Sequence, residues 1–142
     1  MTLTLNNPRL LREAALVGGR WVEADASGIA VTNPATGAVI GHVPNLGAAE
    51  TQEAIKAAEV AQKEWAKRTA KQRADILRRL FELIMENQVD LAAILTAEQG
   101  KPLAEAMGEI GYGASFIEWF AEEARRAYGD ITPTNAADKR IL

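Results

Sequence analysis

The chain has 142 residues, 48% of them hydrophobic and 25% charged, and a formal net charge of −3. That profile belongs to a folded globular chain rather than a disordered or fibrous one, and its mild acidity gives no reason to expect nucleic acid as a partner. It has no Cys and a single His, which excludes disulfides, a thiolate nucleophile, Cys-ligated metals and any site needing two imidazoles from one chain.

The opening residues lack the basic head and apolar run of a secretory signal. The uncharged stretch over residues 26–49 is interrupted by Asn33, Pro34, Gly37, Gly41, Pro44 and Gly47, and hydrocarbon would leave such a broken backbone unsatisfied. No membrane partner is expected, and the missing signals and cysteines point to a cytoplasmic location. Residues 1–46 read as a small antiparallel β element. The runs ALVGGRWVEA, GIAVTNP and GAVIGHVPN are β-prone, with turn chemistry at Gly18 and Gly19 and at residues 34–37.

Residues 47–129 read as four helices. In the first, Ile55, Ala58 and Trp65 share a face. Thr69 and Gln72 have the spacing of a capping box and open the second, whose stripe is Ile76, Leu77, Leu80, Phe81 and Ile84. Val89, Leu91, Ala92 and Leu95 make a shorter third helix that stops at Gly100. Pro102 takes the first position of a fourth, which runs to about Gly129 with Ala106, Ile110, Gly113, Ile117, Ala121 and Ala124 facing inward. Residues 130–142 are a polar loop and, from residue 139, the start of a strand with no visible partner. The expectation is an incomplete domain.

Few residues suggest chemistry. Gly108, Gly111 and Gly113 fall inside a helix and lack dinucleotide-binding spacing, so close packing or a channel wall explains them better than a phosphate cradle. Lys101 has no phosphate-loop pattern around it and reads as a solvated lysine. Glu98 sits in the last turn of the third helix, where the helix dipole disfavours an anion, so a bound cation or simple surface exposure would account for it. His42, without a second ligand, reads as structural. Phe116, Trp119, Phe120 and Tyr128 lie at helical spacing and suit a core or a subunit interface. No catalytic set can be assembled from these residues.

The segments VGGRWVEA and VTNPATGAVIGHVPN, then EWAKRTAKQRADILRRL and AEQGKPLAEAMGEIGYGASFIEWFAEEARRAYGD, resemble the N-terminal part of the aldehyde dehydrogenase superfamily in order and spacing. GKPLAEA and FIEWFAEEARR are similar to its succinate-semialdehyde dehydrogenase branch. The resemblance implies an α/β fold in which these elements pack on a cofactor-binding sheet. It also implies oxidation of a small aldehyde with NADP or NAD, and a homo-oligomer when full length. In that family a cysteine thiolate attacks the aldehyde, and a glutamate-activated water releases the acid. Those residues, and the cofactor-binding ones, lie beyond the point matching Leu142, so no catalytic or cofactor residue is assigned and the chain alone is expected to be inactive.

Carried over residue by residue, Val31, Thr32 and Glu98 match a site for a monovalent cation, although the family often has Asp where Glu98 stands. Gly111, Tyr112 and Gly113 match the helix bordering the substrate tunnel. The alternative is a short non-catalytic paralogue, or binding module, that associates with full-length dehydrogenase subunits.

Overall fold

The computed structural model describes residues 3–25, 27–130, 132–134 and 136–138, and the expected strand start over residues 139–142 lies outside them. Two antiparallel hairpins come first. Strands β1 (Ala14–Val17) and β2 (Arg20–Glu23) pair through Ala14 opposite Glu23 and Val17 opposite Arg20. Their two-residue turn places Gly18 at φ 57° and Gly19 at φ 79°, a combination glycine adopts without steric penalty and one that matches the twist of the flanking strands. Strands β3 (Ile29–Thr32) and β4 (Val39–Val43) form the second hairpin, with a register shift between Val31 and Thr32. Glu13 links the hairpins, because its carboxylate accepts the His42 backbone N–H at 2.7 Å.

Four helices follow: α1 (Ala48–Lys67), α2 (Ala70–Glu86), α3 (Gln88–Gln99) and α4 (Leu103–Glu123). The capping box at Thr69 and Gln72 is present: the Thr69 hydroxyl accepts the Gln72 N–H at 3.2 Å, and the Gln72 side chain accepts the Thr69 N–H at 2.9 Å. Gly100 ends α3 at φ 79°, with its N–H donating to the Thr96 carbonyl at 2.9 Å. Two boundaries differ from expectation. Pro102 precedes α4 as its cap instead of opening it, because its extended ψ of 137° is not helical. The helix also stops at Glu123, six residues short of Gly129. Beyond it the Arg125 and Arg126 N–H groups bond back only three residues, to Glu122 and Glu123, so the last turns tighten before the chain leaves.

Among the described residues the buried apolar side chains are Val17, Ala74, Ala92, Ala97, Ala106, Ala114 and Ala121. α2, α3 and α4 therefore meet through alanines, and the larger side chains stay at the margins or face outward. On α2, Leu77, Phe81 and Ile84 are half-buried, whereas Ile76, Leu80 and Leu83 are exposed. The expected stripe thus splits into an inner and an outer row. On α4 the inward position is Ala114, and Gly113 is exposed. The helix is apolar on nearly every side, so the pattern alone left its rotational phase ambiguous by one residue.

α1 also departs from expectation. It turns Ala54 and Ala57 toward β1, where Ala57 lies 3.4 Å from the Cβ position of Gly18, and leaves Ile55 and Ala58 exposed. Arg20 of β2 pairs with Glu53 at 2.6 Å along that contact. The whole chain leaves 10558 Å² accessible, against about 7,100 Å² for a compact monomer of its 15.3 kDa mass. Among the described residues no helix is long and apolar enough to cross a membrane.

Candidate functional site

Val31 and Glu98, 67 positions apart, line one small cavity of about 20 Å³ together with Arg12, Ile40, Gly41 and His42. Two local features bring them together. The ladder of the second hairpin breaks its register at Val31 and Thr32, and its turn rests on the end of α3. There a Cβ added to Gly100 would lie 2.9 Å from Pro34 Cγ. Glycine at residue 100 thus serves both the left-handed backbone and the close approach of the turn.

The cavity holds about one small ion or water. Glu98 is exposed and has no ion-pair partner among the described residues, and Arg12 directs its guanidinium over the Trp21 ring at 4.9 Å. The last turn of α3 adds backbone carbonyls that lack helical partners. Among the described residues no three His, Asp or Glu side chains converge, so a cation here would draw on carbonyl oxygens and one carboxylate. That donor set suits a hard, weakly charged ion. Thr32 is exposed beside this cavity and does not line it.

The three residues matched to a substrate channel point in different directions. Gly111 is half-buried against α3, where Gln88 Nε2 donates to the Met107 carbonyl at 2.9 Å and lies 3.4 Å from the Cβ position of Gly111. Tyr112 faces outward and meets Phe116 edge-on, with ring centroids 4.9 Å apart. Gly113 is exposed, and a Cβ there would touch nothing within 4 Å. Phe116, Trp119 and Phe120 are exposed on the same helix, and Tyr128 just beyond it. Core packing within this chain is therefore not their role. The α4 glycines lie mid-helix and form no strand-to-helix turn of the kind that holds a dinucleotide pyrophosphate.

Lys101 is paired rather than free. It bonds the Glu109 carboxylate, and that hydrogen bond raises its pKa above the ordinary lysine value, the opposite of what a nucleophilic lysine requires. His42 is an exposed imidazole with Nδ1 3.8 Å from Glu13, not a core residue.

Sequence reading missed Asp90, the one buried charged side chain among the described residues. Its carboxylate accepts the Asn6 and Asn7 backbone N–H groups at 3.0 and 2.7 Å and the Asn6 side-chain amide at 2.9 Å. The Asn6 and Asn7 amides, in that order, hold its pKa below the ordinary aspartate range against the opposing effect of burial. An acid in the first turn of an apolar helix was the available signal.

Residues 21–142 match the Aldehyde dehydrogenase family. The chain belongs to that family. It is 57% identical over 141 residues to the glutarate-semialdehyde dehydrogenase of Pseudomonas putida. It is 55% identical both to the 3-sulfolactaldehyde dehydrogenase of P. putida and to the NADP(+) succinate-semialdehyde dehydrogenase of Escherichia coli. Each alignment covers 99% of this chain and 29% of the relative. The crystal structure of an aldehyde dehydrogenase from Brucella melitensis superposes with a TM-score of 0.93 at 56% identity, over 98% of this chain and 29% of that one. The hairpin-and-helix arrangement is thus a part of the aldehyde dehydrogenase fold, and the chain spans about 29% of the length of these relatives.

Proposed function

We propose that this chain supplies the N-terminal elements of an NADP- or NAD-dependent semialdehyde dehydrogenase. The reaction converts the aldehyde of a short substrate to a carboxylate, with water supplying the oxygen and the nicotinamide taking the hydride. The observation that carries this reading is the 55–57% identity, over 99% of the chain, to enzymes named for such substrates. Succinate semialdehyde, glutarate semialdehyde and 3-sulfolactaldehyde share one chemistry, a small aldehyde with an anionic group at its other end. That shared feature defines the substrate class.

These residues would act as scaffold. The chain has no Cys, so the nucleophile of a thiohemiacetal mechanism belongs to another part of the fold. Gly111, Tyr112 and Gly113 would form one wall of the substrate channel, and homo-oligomerisation belongs to the whole assembly. A monovalent cation at Val31, Thr32 and Glu98 would tie the second hairpin to α3 and offset the unfavourable placement of an anion at a helix C-terminus. The absence of a Glu98 ion pair favours that reading.

Joining this chain in one polypeptide to the remainder of the P. putida glutarate-semialdehyde dehydrogenase tests the proposal. The chimera should reduce NADP or NAD with succinate or glutarate semialdehyde, and the 142-residue chain alone should not. A folded, cofactor-binding chimera without turnover would overturn it. For the cation, thermal stability of the chimera in potassium or sodium chloride should exceed that in tetramethylammonium chloride, and Glu98→Gln should remove the difference.

A further inference from the structure

The outer face of α4 carries two features that nothing within the described residues uses. Tyr112, Phe116, Trp119 and Phe120 form an exposed aromatic stripe, with Trp119 64% exposed. At the helical angle of 100° per residue, Gly108 and Gly113 flank that stripe on either side. A Cβ added to either would meet nothing within 4 Å, so neither glycine is explained by a neighbour in this chain. Helix-interior glycine weakens a helix, and a pair of them beside exposed aromatics marks where another backbone comes close.

The occupant is a polypeptide and not a small molecule. The groove along the stripe is lined by Ser115, Phe116, Glu118, Trp119, Phe120 and Glu122, all from α4. One face of one helix cannot enclose a ligand on several sides as a small-molecule site must. The area points the same way. The accessible surface exceeds that of a compact monomer by about 3,400 Å², within the range of obligate protein interfaces.

We propose that the α4 aromatic stripe, with Gly108 and Gly113 as its close-approach points, is the docking face for a polypeptide carrying the remainder of an aldehyde dehydrogenase fold, and that the face recognises it without a covalent link. The occupant is chosen by the match in which this chain covers 98% of itself but 29% of the solved structure it superposes on. The inference rests on the proposed function only for the identity of that partner. The stripe forms one side of the contact, and the channel wall at residues 111–113 lies beside it.

The test is co-expression of this chain, tagged, with the separate segment of P. putida glutarate-semialdehyde dehydrogenase that follows the position matching Leu142. The expected result is a one-to-one complex by affinity capture and native mass spectrometry. Trp119→Glu should weaken that complex at least tenfold while leaving the circular dichroism of the chain alone unchanged, since its exposed ring supports nothing within the chain. Three results would overturn the proposal: no complex with the wild-type chain, a complex indifferent to Trp119→Glu, or self-association through the stripe in place of the one-to-one complex. A stable complex with no aldehyde turnover, beside an inactive covalent chimera, would instead count against the proposed function and leave the docking face standing.

Discussion

Replacing Gly108 by alanine should stabilise this chain on its own and weaken its complex with the partner segment, a reversal of sign that few other substitutions offer. The residue lies inside α4 with a negative φ, and the added methyl would meet nothing within 4 Å. The change therefore gains the helix-propensity difference alone, about 1 kcal/mol. For a chain of this length the unfolding entropy is about 0.3 kcal/mol per degree, so Tm should rise by about 3 °C. Adding Gly113→Ala, which is equally open, should bring the rise to about 6 °C.

Gly111→Ala is the internal control. Its methyl would sit 3.4 Å from Gln88 Nε2, and crowding that amide should cancel most of the gain. Circular dichroism at 222 nm reports the melt of the chain, and titration with the partner segment reports affinity. A Gly108→Ala chain that melts lower than wild type, or that binds the partner as tightly, would refute the reasoning.

Further outcomes follow from other positions. Gly100→Ala should destabilise the chain by about 1–3 kcal/mol, read from denaturant midpoints, because the residue sits at φ 79° and its methyl would press on Pro34. Thr96→Val should raise stability by about 1 kcal/mol in the same assay, since the Thr96 hydroxyl is buried without a hydrogen-bond partner in the structure. Asp90→Asn should expose the Asn6 and Asn7 amides to hydrogen exchange. In the wild-type chain their protection should persist above the ordinary aspartate pKa of about 3.9 and fade as pH drops through the lower value in the folded chain. A depressed carboxylate pKa stabilises the folded state only while the group is ionised. Unchanged exchange at those two amides in Asp90→Asn would show that the carboxylate does not hold the N-terminal segment.

What the sequence made legible is mostly local chemistry. Gly18 with Gly19, the Thr69–Gln72 box and Gly100 each act within a few residues, and all three stand as expected. Helix faces were harder, because periodicity identifies an apolar side without naming what covers it. On α1 the stripe of Ile55 and Ala58 was read as inward, yet the alanines one position away, Ala54 and Ala57, are those that meet β1. On α4 the apolar residues surround the axis and the phase slipped from Ala114 to Gly113. Glu98 and Val31 share a cavity, but nothing in their spacing along the chain announces it, and only the family resemblance had paired them. Asp90 was missed for a similar reason, since its partners lie more than 80 residues away.

That distance shapes how the chain can be built. The bonds from Asn6 and Asn7 to Asp90 close a loop spanning 84 and 83 residues. Closure entropy grows only slowly with loop length, so so long a circuit remains affordable at equilibrium. On the ribosome the order of events is more restrictive. Both hairpins and the first two helices emerge before the residue that anchors the N-terminal segment, and local turns such as Gly18 with Gly19 form in microseconds while synthesis takes seconds. The earliest residues to be made are therefore among the last to be fixed, and they wait with free amides until α3 leaves the exit tunnel.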